Sequence, residues 1–291
     1  MAMNMIADAL SGEGGAAVFT GDSDSVLIGD ALPFAIKLYE ALLAQNPKHQ
    51  GLINTTGSLF VMYANAYVQG PAEMLPYYEY EEREAAMDRA KKLYLRGLDI
   101  LLNGLELKYP GFLSAYTDTS GRLPLFLTRM KKADVHALYW AAAAGFSAYS
   151  IDIMDFELSA RVLEWSAMIH KAYELDPNFD GAALDEFYII FYASLPEILG
   201  GNITQAELHF QRALEKTGGN SASAYVSYAQ HISEPAQDYD SFVYNLEMAL
   251  AINPDANVST RLINIIAQQK AQWLLDNAWI YFSFLPIPDY Y

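Results

Sequence analysis

The sequence predicts an all-α protein built as an array of helical hairpins. Three observations support this fold class. Apolar residues recur at helical spacing along most of the chain. Several of these runs end at a proline, which cannot continue a helix. Extended runs that alternate apolar and polar residues between hairpin turns are not evident. We place residues 1–28, rich in Gly, Ser and Asp, in a flexible lead-in, and residues 29–291 in a single helical domain.

The first predicted helix is LPFAIKLYEALLAQNP. Its proline stands near the first turn, where a missing N–H costs nothing. Phe34, Leu38 and Leu42 share one face, and Pro47 ends the helix.

Two further helices follow from composition. EEREAAMDRAKKLYLRGLDILLNGLELKYP is rich in good helix formers, starts with acidic residues that complement the helix dipole, and stops near Pro110. ADVHALYWAAAAGFSAYSI carries small residues from Ala141 to Gly145. These small residues predict the close approach of a neighbouring helix.

The second half of the chain repeats itself. ARVLEWSAMIHKAYELDPN and FVYNLEMALAINPD each place an alanine five residues before a proline. QAELHFQRALEK adds Ala206, Phe210 and Ala213, the A-x3-F-x2-A pattern of the second helix of a tetratricopeptide (TPR) repeat. Corresponding alanines of these segments are more than 34 residues apart, the usual length of a TPR repeat. We therefore predict degenerate TPR-like hairpins that form an α-solenoid with a concave surface. The apolar C-terminus, AQWLLDNAWIYFSFLPIPDYY, is predicted to dock back as a capping helix and tail.

Composition excludes several classes of function. The formal net charge is -17, with 18 Lys+Arg against 35 Asp+Glu, which argues against nucleic-acid binding. The chain has no cysteine, and its five histidines are scattered, so we predict no metal site. Motifs of nucleotide binding or hydrolysis are missing, so we expect no cofactor and no enzyme. No segment has the length and apolarity of a membrane span.

The stretch GLINTTGSLFVMYANAYVQGPAEMLPYY carries one formal charge, Glu73. One interpretation is a buried helix of the array. The other is the wall of an apolar ligand cleft in which a few polar groups are placed. For that cleft we name ten candidate residues from this stretch and from two later helices: Phe60, Met62, Tyr63, Asn65, Tyr67, Tyr77, Tyr78, Trp140, Tyr188 and Tyr192.

Basic residues concentrate on the long helix. Arg83, Arg89, Lys92 and Arg96 are either a solvated helix face or a docking surface for an acidic partner. The partner could instead bind the acidic second half, where residues 133–291 hold 6 basic and 20 acidic residues.

The segment from Gly29 to Gly97, above all GSLFVMYANAYVQGPAEM, is similar to the signature region of the T component of TPR-associated TRAP transporters, the TatT family. LDPNFDGAALDEFYIIFYASLPE and YVSYAQHIS fit as well.

This resemblance implies a periplasmic lipoprotein that forms a homotrimer, pairs with the solute-binding P component of a TRAP transporter, and holds a hydrophobic small molecule in an apolar cleft. The signal peptide and lipidated cysteine of the family are missing. We therefore expect a chain that starts just after that cysteine and meets the membrane only through its lipid anchor.

Two functions remain open. The first is a non-catalytic transport accessory that docks a solute-binding protein and offers an apolar passage. The alternative is a generic TPR scaffold that holds a peptide segment of a protein partner in its groove, without a small-molecule ligand. An enzyme is a distant third interpretation.

Overall fold

The computed structural model describes residues 13–118 and 120–286. This part of the chain consists of helices and turns and contains no β-strand. The all-α prediction is confirmed. The described residues divide into two compact units. The first contains Val26–Phe179 and the chain up to Phe19, and the second contains Thr20–Ser25 and the chain from Asp180 onward. The predicted single domain over 29–291 stays a prediction.

Within its described residues, the first unit contains five helices of 14 residues or more. The helices from the start of the description to the end of this unit are α1 (Glu13–Thr20), α2 (Ser25–Gln45), α3 (Gln50–Ala64), α4 (Gly70–Glu73), α5 (Tyr80–Lys108), α6 (Phe112–Thr117), α7 (Leu123–Leu127), α8 (Val135–Ile151), α9 (Phe156–Ser159) and α10 (Val162–Leu175). Helix α5 packs against both α3 and α8, and α8 packs against α10.

Glycines set the distance between these helices. A Cβ atom added to Gly97 of α5 would lie 2.8 Å from the backbone oxygen of Gly57 in α3, and one added to Gly57 would lie 2.5 Å from Leu101 Cγ. On α8, a Cβ atom at Gly145 would run into the indole of the fully buried Trp165. The small residues of α8 therefore admit α10, as their sequence predicts.

The second unit contains five helices within its described residues. They are α11 (Ala183–Ser194), α12 (Ile203–Thr217), α13 (Ala222–Tyr228), α14 (Tyr239–Ala251) and α15 (Arg261–Asp276). Helix α11 packs on α12, while α13, α14 and α15 pack on one another. Ala206, Phe210 and Ala213, the three residues of the repeat pattern, are buried in the core of this unit. The TPR-like arrangement itself stays a prediction.

The start of the chain differs from its prediction. Helix α2 begins at Ser25, inside the segment predicted as a lead-in, and Glu13–Thr20 is helical. Pro33 therefore lies within α2 and not in its first turn. Residues 1–12 of the lead-in lie outside the described residues.

The apolar face that the sequence predicts for α2 is not its buried face. Phe34 is 74% exposed and Leu38 is 42% exposed. Ile28, Leu32 and Ile36 lie in the core instead. Both faces of α2 are apolar, and only packing determines which of them is covered.

The C-terminal segment packs onto its own unit. Phe282 is fully buried, with its ring centroid 5.0 Å from that of Phe242 and 5.1 Å from that of Tyr239. Phe284 is exposed. Residues 287–291 lie outside the described residues.

Among the described residues, each unit contains one π-helix. Asn65–Gln69 follows α3 in the first unit, and Ala229–Ser233 follows α13 in the second. The first π-helix follows directly after a Tyr-Ala pair, and the second begins at the alanine of such a pair. In both units a Pro-Ala pair starts two residues after the last residue of the π-helix. A π turn holds one residue more than an α turn and often marks a functional position.

Candidate binding sites

The uncharged stretch forms α3, the first π-helix and α4. Tyr63 and Tyr67 are half-buried and stack with their ring centroids 6.0 Å apart. The ring of Tyr67 also lies against Gly29 of α2, where a Cβ atom would come within 2.7 Å of Tyr67 Cδ1. Glycine at position 29 is thus what makes room for this tyrosine.

Two arginines of α5 lie over aromatic rings of α3. The guanidinium of Arg89 lies 5.6 Å from the Tyr63 ring centroid and donates a hydrogen bond of 3.2 Å to the Tyr63 hydroxyl. The guanidinium of Arg96 lies 4.8 Å from the ring centroid of Phe60, which is buried. These cation–π contacts bring predicted cleft residues and predicted docking residues together on one surface.

A side chain of α5 forms a hydrogen bond with the last residue of the first π-helix. Tyr94, which is completely buried, donates a 2.6 Å hydrogen bond to Gln69 Oε1. Burial raises the pKa of this phenol, so its hydroxyl stays protonated. Gln69 in turn donates to Glu73 at 2.8 Å.

The other candidates of the stretch are more open to solvent. Asn65 is exposed and Met62 is half-buried. Tyr77 is 70% exposed and Tyr78 is 68% exposed, and their rings meet edge to face at 5.6 Å.

Trp140 belongs to a separate aromatic cluster on α8. Its ring centroid lies 5.1 Å from that of Tyr139 and 6.2 Å from that of His136. Burial lowers the pKa of His136 to about 4, because a buried imidazole disfavours its charged form. His136 Nδ1 finds no hydrogen-bond partner among the described residues.

Tyr188 and Tyr192 lie in the second unit. They stack on each other at 5.2 Å and on the buried imidazole of His209, at 4.6 Å and 5.6 Å respectively. The ten predicted cleft residues therefore fall into several clusters.

Sequence reasoning missed the ionic network next to these tyrosines. The buried carboxylate of Asp185 pairs with His209 Nδ1 at 2.7 Å and with Lys216 Nζ at 2.5 Å. Burial opposes the charge of Asp185, but the bonds from His209 and Lys216 outweigh burial and lower its pKa. The three residues lie too far apart in sequence for any local pattern to join them.

A pocket of about 400 Å³ opens in the second unit beside its π-helix. Its lining is part aliphatic and part polar. The residues that line it are Ala193, Ile203, Glu207, Tyr228, His231, Ile232, Ser233, Pro235, Ala236, Asp238 and Ser241. None of the ten predicted cleft residues lines this pocket, although YVSYAQHIS supplies much of it.

A sequence signal for this pocket exists. FVMYANAYVQGPAE and YVSYAQHISEPAQ share the order of an aromatic residue, Val, Tyr-Ala, an amide and Pro-Ala. Only the structure shows that each copy contains a π-helix whose last residue bonds to a later helix of its unit. Gln69 bonds to Tyr94 in the first unit, and Ser233 bonds to Ser241 at 2.8 Å in the second.

The four predicted docking residues are exposed on α5. Three of them have partners within the chain. Lys92 pairs with Asp88 at 2.5 Å, Arg96 pairs with Glu40, and Arg89 bonds to Tyr63. Their exposure agrees with either interpretation of the basic cluster, and their docking role stays a prediction.

Within residues 13–118 and 120–286, no three His, Asp or Glu side chains are placed to hold a metal ion. No helix there combines the length and the apolarity that crossing a bilayer requires.

Comparison with known proteins identifies the family. The chain matches the model of the TRAP transporter T-component over residues 21–282. It is also 35% identical over 258 residues to a protein of Treponema pallidum (strain Nichols) described as uncharacterized. That alignment covers 88% of this chain and 80% of the relative. Because the family model spans most of its length, the chain belongs to the TRAP transporter T-component family, as the resemblance predicts.

Proposed function

We propose that this protein is a non-catalytic accessory of a TRAP transporter that docks the solute-binding P component and offers an apolar site to a hydrophobic small molecule. The observation that carries this proposal is the family match over residues 21–282. It assigns the chain to a transport system, whose T components are accessory parts.

The docking surface in this proposal is the outer face of α5 together with α2. Arg83, Arg89, Lys92 and Arg96 supply positive charge on an acidic protein. Phe34 and Leu38 of α2 are exposed apolar residues, and Arg96 bonds to Glu40 of the same helix. A mixture of arginine, aromatic and aliphatic groups is typical of protein interfaces.

The apolar ligand in this proposal is held by the predicted aromatic residues. In the first unit, Tyr63 and Tyr67 form a half-buried stack and Tyr77 and Tyr78 form an exposed pair. Aromatic surfaces of this kind hold an apolar molecule mainly by burying its surface, with few hydrogen bonds. Each Å² of apolar surface removed from water contributes about 25 cal/mol of binding free energy.

The assembly follows the family resemblance. We propose that the helices form a degenerate TPR-like array capped by α15 and the C-terminal tail. We also propose that the protein is a homotrimer and that a lipid anchor holds it in the periplasm. The buried Ala206, Phe210 and Ala213 support the array, since small residues are needed where paired helices cross.

Sedimentation velocity of the protein, alone and mixed with the solute-binding protein of its TRAP system, tests the proposal. We expect a trimer that takes up the partner. The double variant Arg83→Glu/Lys92→Glu is expected to weaken the complex at least roughly tenfold, because reversing interface charges costs several kcal/mol.

The matched control is Lys48→Glu/Lys132→Glu. Each double variant reverses two exposed basic residues and breaks one surface ion pair, Lys92–Asp88 or Lys132–Asp176. Equal loss in both variants would mean that net charge and not this face drives binding. A monomer that ignores the solute-binding protein would favour the alternative, a TPR scaffold for a peptide.

A further inference from the structure

We propose that the pocket beside the second π-helix binds a small organic cation, an ammonium or guanidinium group attached to a short apolar body. This site goes beyond the docking surface and the aromatic residues of the proposed function. It shares no residue with either of them.

The polar half of the pocket is negative. Glu207 of α12 and Asp238, the residue before α14, contribute carboxylates, and the Tyr228 phenol lies near both. Burial raises the pKa of Tyr228, and the charges of Glu207 and Asp238 raise it further. Two carboxylates close to one neutral phenol attract a cation and repel an anion.

The cations of the second unit are engaged elsewhere. Residues 180–286 hold 4 basic and 12 acidic residues. Lys216 pairs with Asp185, and Arg261 pairs with Asp255 at 2.8 Å. Lys270 lies 5.4 Å from the Trp273 ring centroid, and Arg212 lies close enough to Tyr192 to lower its pKa against burial. The described residues that line the pocket include no Lys or Arg to neutralise its carboxylates.

The rest of the pocket suits a short apolar body. Ala193, Ile203, Ile232, Pro235 and Ala236 are aliphatic lining residues. The Tyr228 ring is held in place by Phe210, with centroids 4.4 Å apart, and offers an aromatic face to a cation. A volume of about 400 Å³ lies at the lower end of ligand pockets.

The π-helix and α14 both contribute to the lining of this pocket. Ser233, the last residue of the π-helix, and Ser241 of α14 line it, and their hydroxyl oxygens lie 2.8 Å apart. His231 of the same π-helix lines it as well. These residues add hydroxyl and imidazole groups to the polar part of the pocket.

Three probes of similar shape and different charge test the proposal: benzylammonium, benzyl alcohol and benzoate. Ligand-observed NMR titration of the full chain gives the dissociation constant of each. We expect benzylammonium to bind roughly tenfold or more tightly than benzyl alcohol, and benzoate to bind least, because two carboxylates attract the cation, do not attract the neutral alcohol by charge, and repel the anion.

Variants locate the binding. Glu207→Gln and Asp238→Asn are each expected to weaken benzylammonium binding roughly three- to tenfold, the worth of one partly exposed charge pair. Asparagine at 238 keeps the side-chain oxygen that caps α14 through Ser241 N, so the helix is retained. Glu215→Gln, which removes an exposed carboxylate of α12 outside the pocket, is the control. Ala236→Phe is expected to abolish binding by filling the space.

Three results would overturn the proposal. They are equal binding of benzylammonium and benzyl alcohol, no binding of any probe, and an equal loss in the Glu215→Gln control. Binding of benzylammonium to Arg83→Glu/Lys92→Glu should be unchanged, so failure of this site and failure of partner docking are distinguishable.

Discussion

The two compact units contain the same local device and complete it differently. In each, a Tyr-Ala pair stands at or just before the start of a π-helix, and the last π residue bonds to a later helix. The first unit completes the bond with the amide of Gln69 and the buried phenol of Tyr94, and the second with two serines. Of the first π-helix only Val68 is buried, whereas Ala229, Ile232 and Ser233 are buried in the second, and the pocket lies beside the second. The difference teaches that the same backbone irregularity is held by different side chains in the two units and has a pocket beside it in the second.

Tyr94→Ala should have the largest effect. The side chain is fully buried, so truncation leaves a cavity and removes the hydrogen bond to Gln69 Oε1, at a cost of about 3–5 kcal/mol in the free energy of unfolding. Urea unfolding followed by circular dichroism measures this cost. Ser241→Ala, the matching change in the second unit, should cost only about 1 kcal/mol. Equal costs would break the comparison. Tyr94→Phe keeps the ring and removes the hydroxyl, so it measures the cost of losing the hydrogen bond without creating the cavity.

Mild acid should destabilise the first unit more than the second. His136 of the first unit has a pKa of about 4, below the value of about 6.5 that is usual for histidine, so folding favours the neutral imidazole. The contribution of the neutral imidazole to the free energy of unfolding is present above pH 6.5 and is lost as the pH falls toward 4. The loss amounts to roughly 3 kcal/mol at 1.36 kcal/mol per pKa unit.

Hydrogen exchange measured by mass spectrometry at pH 7 and pH 5 resolves the units. We expect protection of α8 to fall at pH 5 in the wild type and to be insensitive in His136→Phe. Equal acid sensitivity in that variant would show that another group titrates.

Asp185→Asn should destabilise the second unit by about 2 kcal/mol. The change removes the charge that pairs with His209 and Lys216, but Lys216 reaches solvent, which limits the cost. Because the folded pKa of Asp185 is lowered, its contribution is present above the unfolded pKa, about 3.9, and is lost as the pH falls through the folded pKa.

The variant should therefore differ from the wild type in thermal stability at pH 7 and approach it in strong acid. A constant difference across this range would exclude ionisation of Asp185 as the cause. Asp134→Asn, which breaks the pair with Lys108 at 2.5 Å, provides the corresponding change in the first unit.

Gly29→Ala should have a smaller effect than Tyr94→Ala. Its new Cβ atom would lie 2.7 Å from Tyr67 Cδ1, and this overpacking should cost roughly 1–3 kcal/mol, the low end if the ring shifts. Adding Tyr67→Ala removes the clash, so the two substitutions should cost less together than their sum. Strict additivity in a thermal-unfolding cycle would mean that Gly29 does not make room for this ring.

Several elements followed from local sequence. The end of α2 before Pro47 and the end of α5 before Pro110 agree with the structure, because proline and helix propensity act within one turn. The stacking of Tyr63 on Tyr67 agrees with their i, i+4 spacing on one helical stripe.

Other features needed distant residues. Phe34 and Ile36 are equally apolar, yet only Ile36 is covered. Periodicity identifies faces but cannot say which face meets a neighbour. The candidate cleft residues were chosen for aromatic character, which a core and a binding surface share. The pocket of the second unit was missed because its lining comes from separate segments of the chain, at 193–207, 228–238 and 241, which only the fold brings together.

By itself, the sequence determined that the protein is all-α, that its helices stop at their prolines, and that it belongs to a family with a recognisable signature between Gly29 and Gly97. These properties depend on backbone preferences and local spacing, which neighbours along the chain decide. Only the tertiary structure decided that Asp185, His209 and Lys216 share one buried network and that Tyr94 bonds to the end of one π-helix while Ser241 bonds to the end of the other. Such contacts join residues that are far apart along the chain, and their energies depend on burial, which only the packed fold creates.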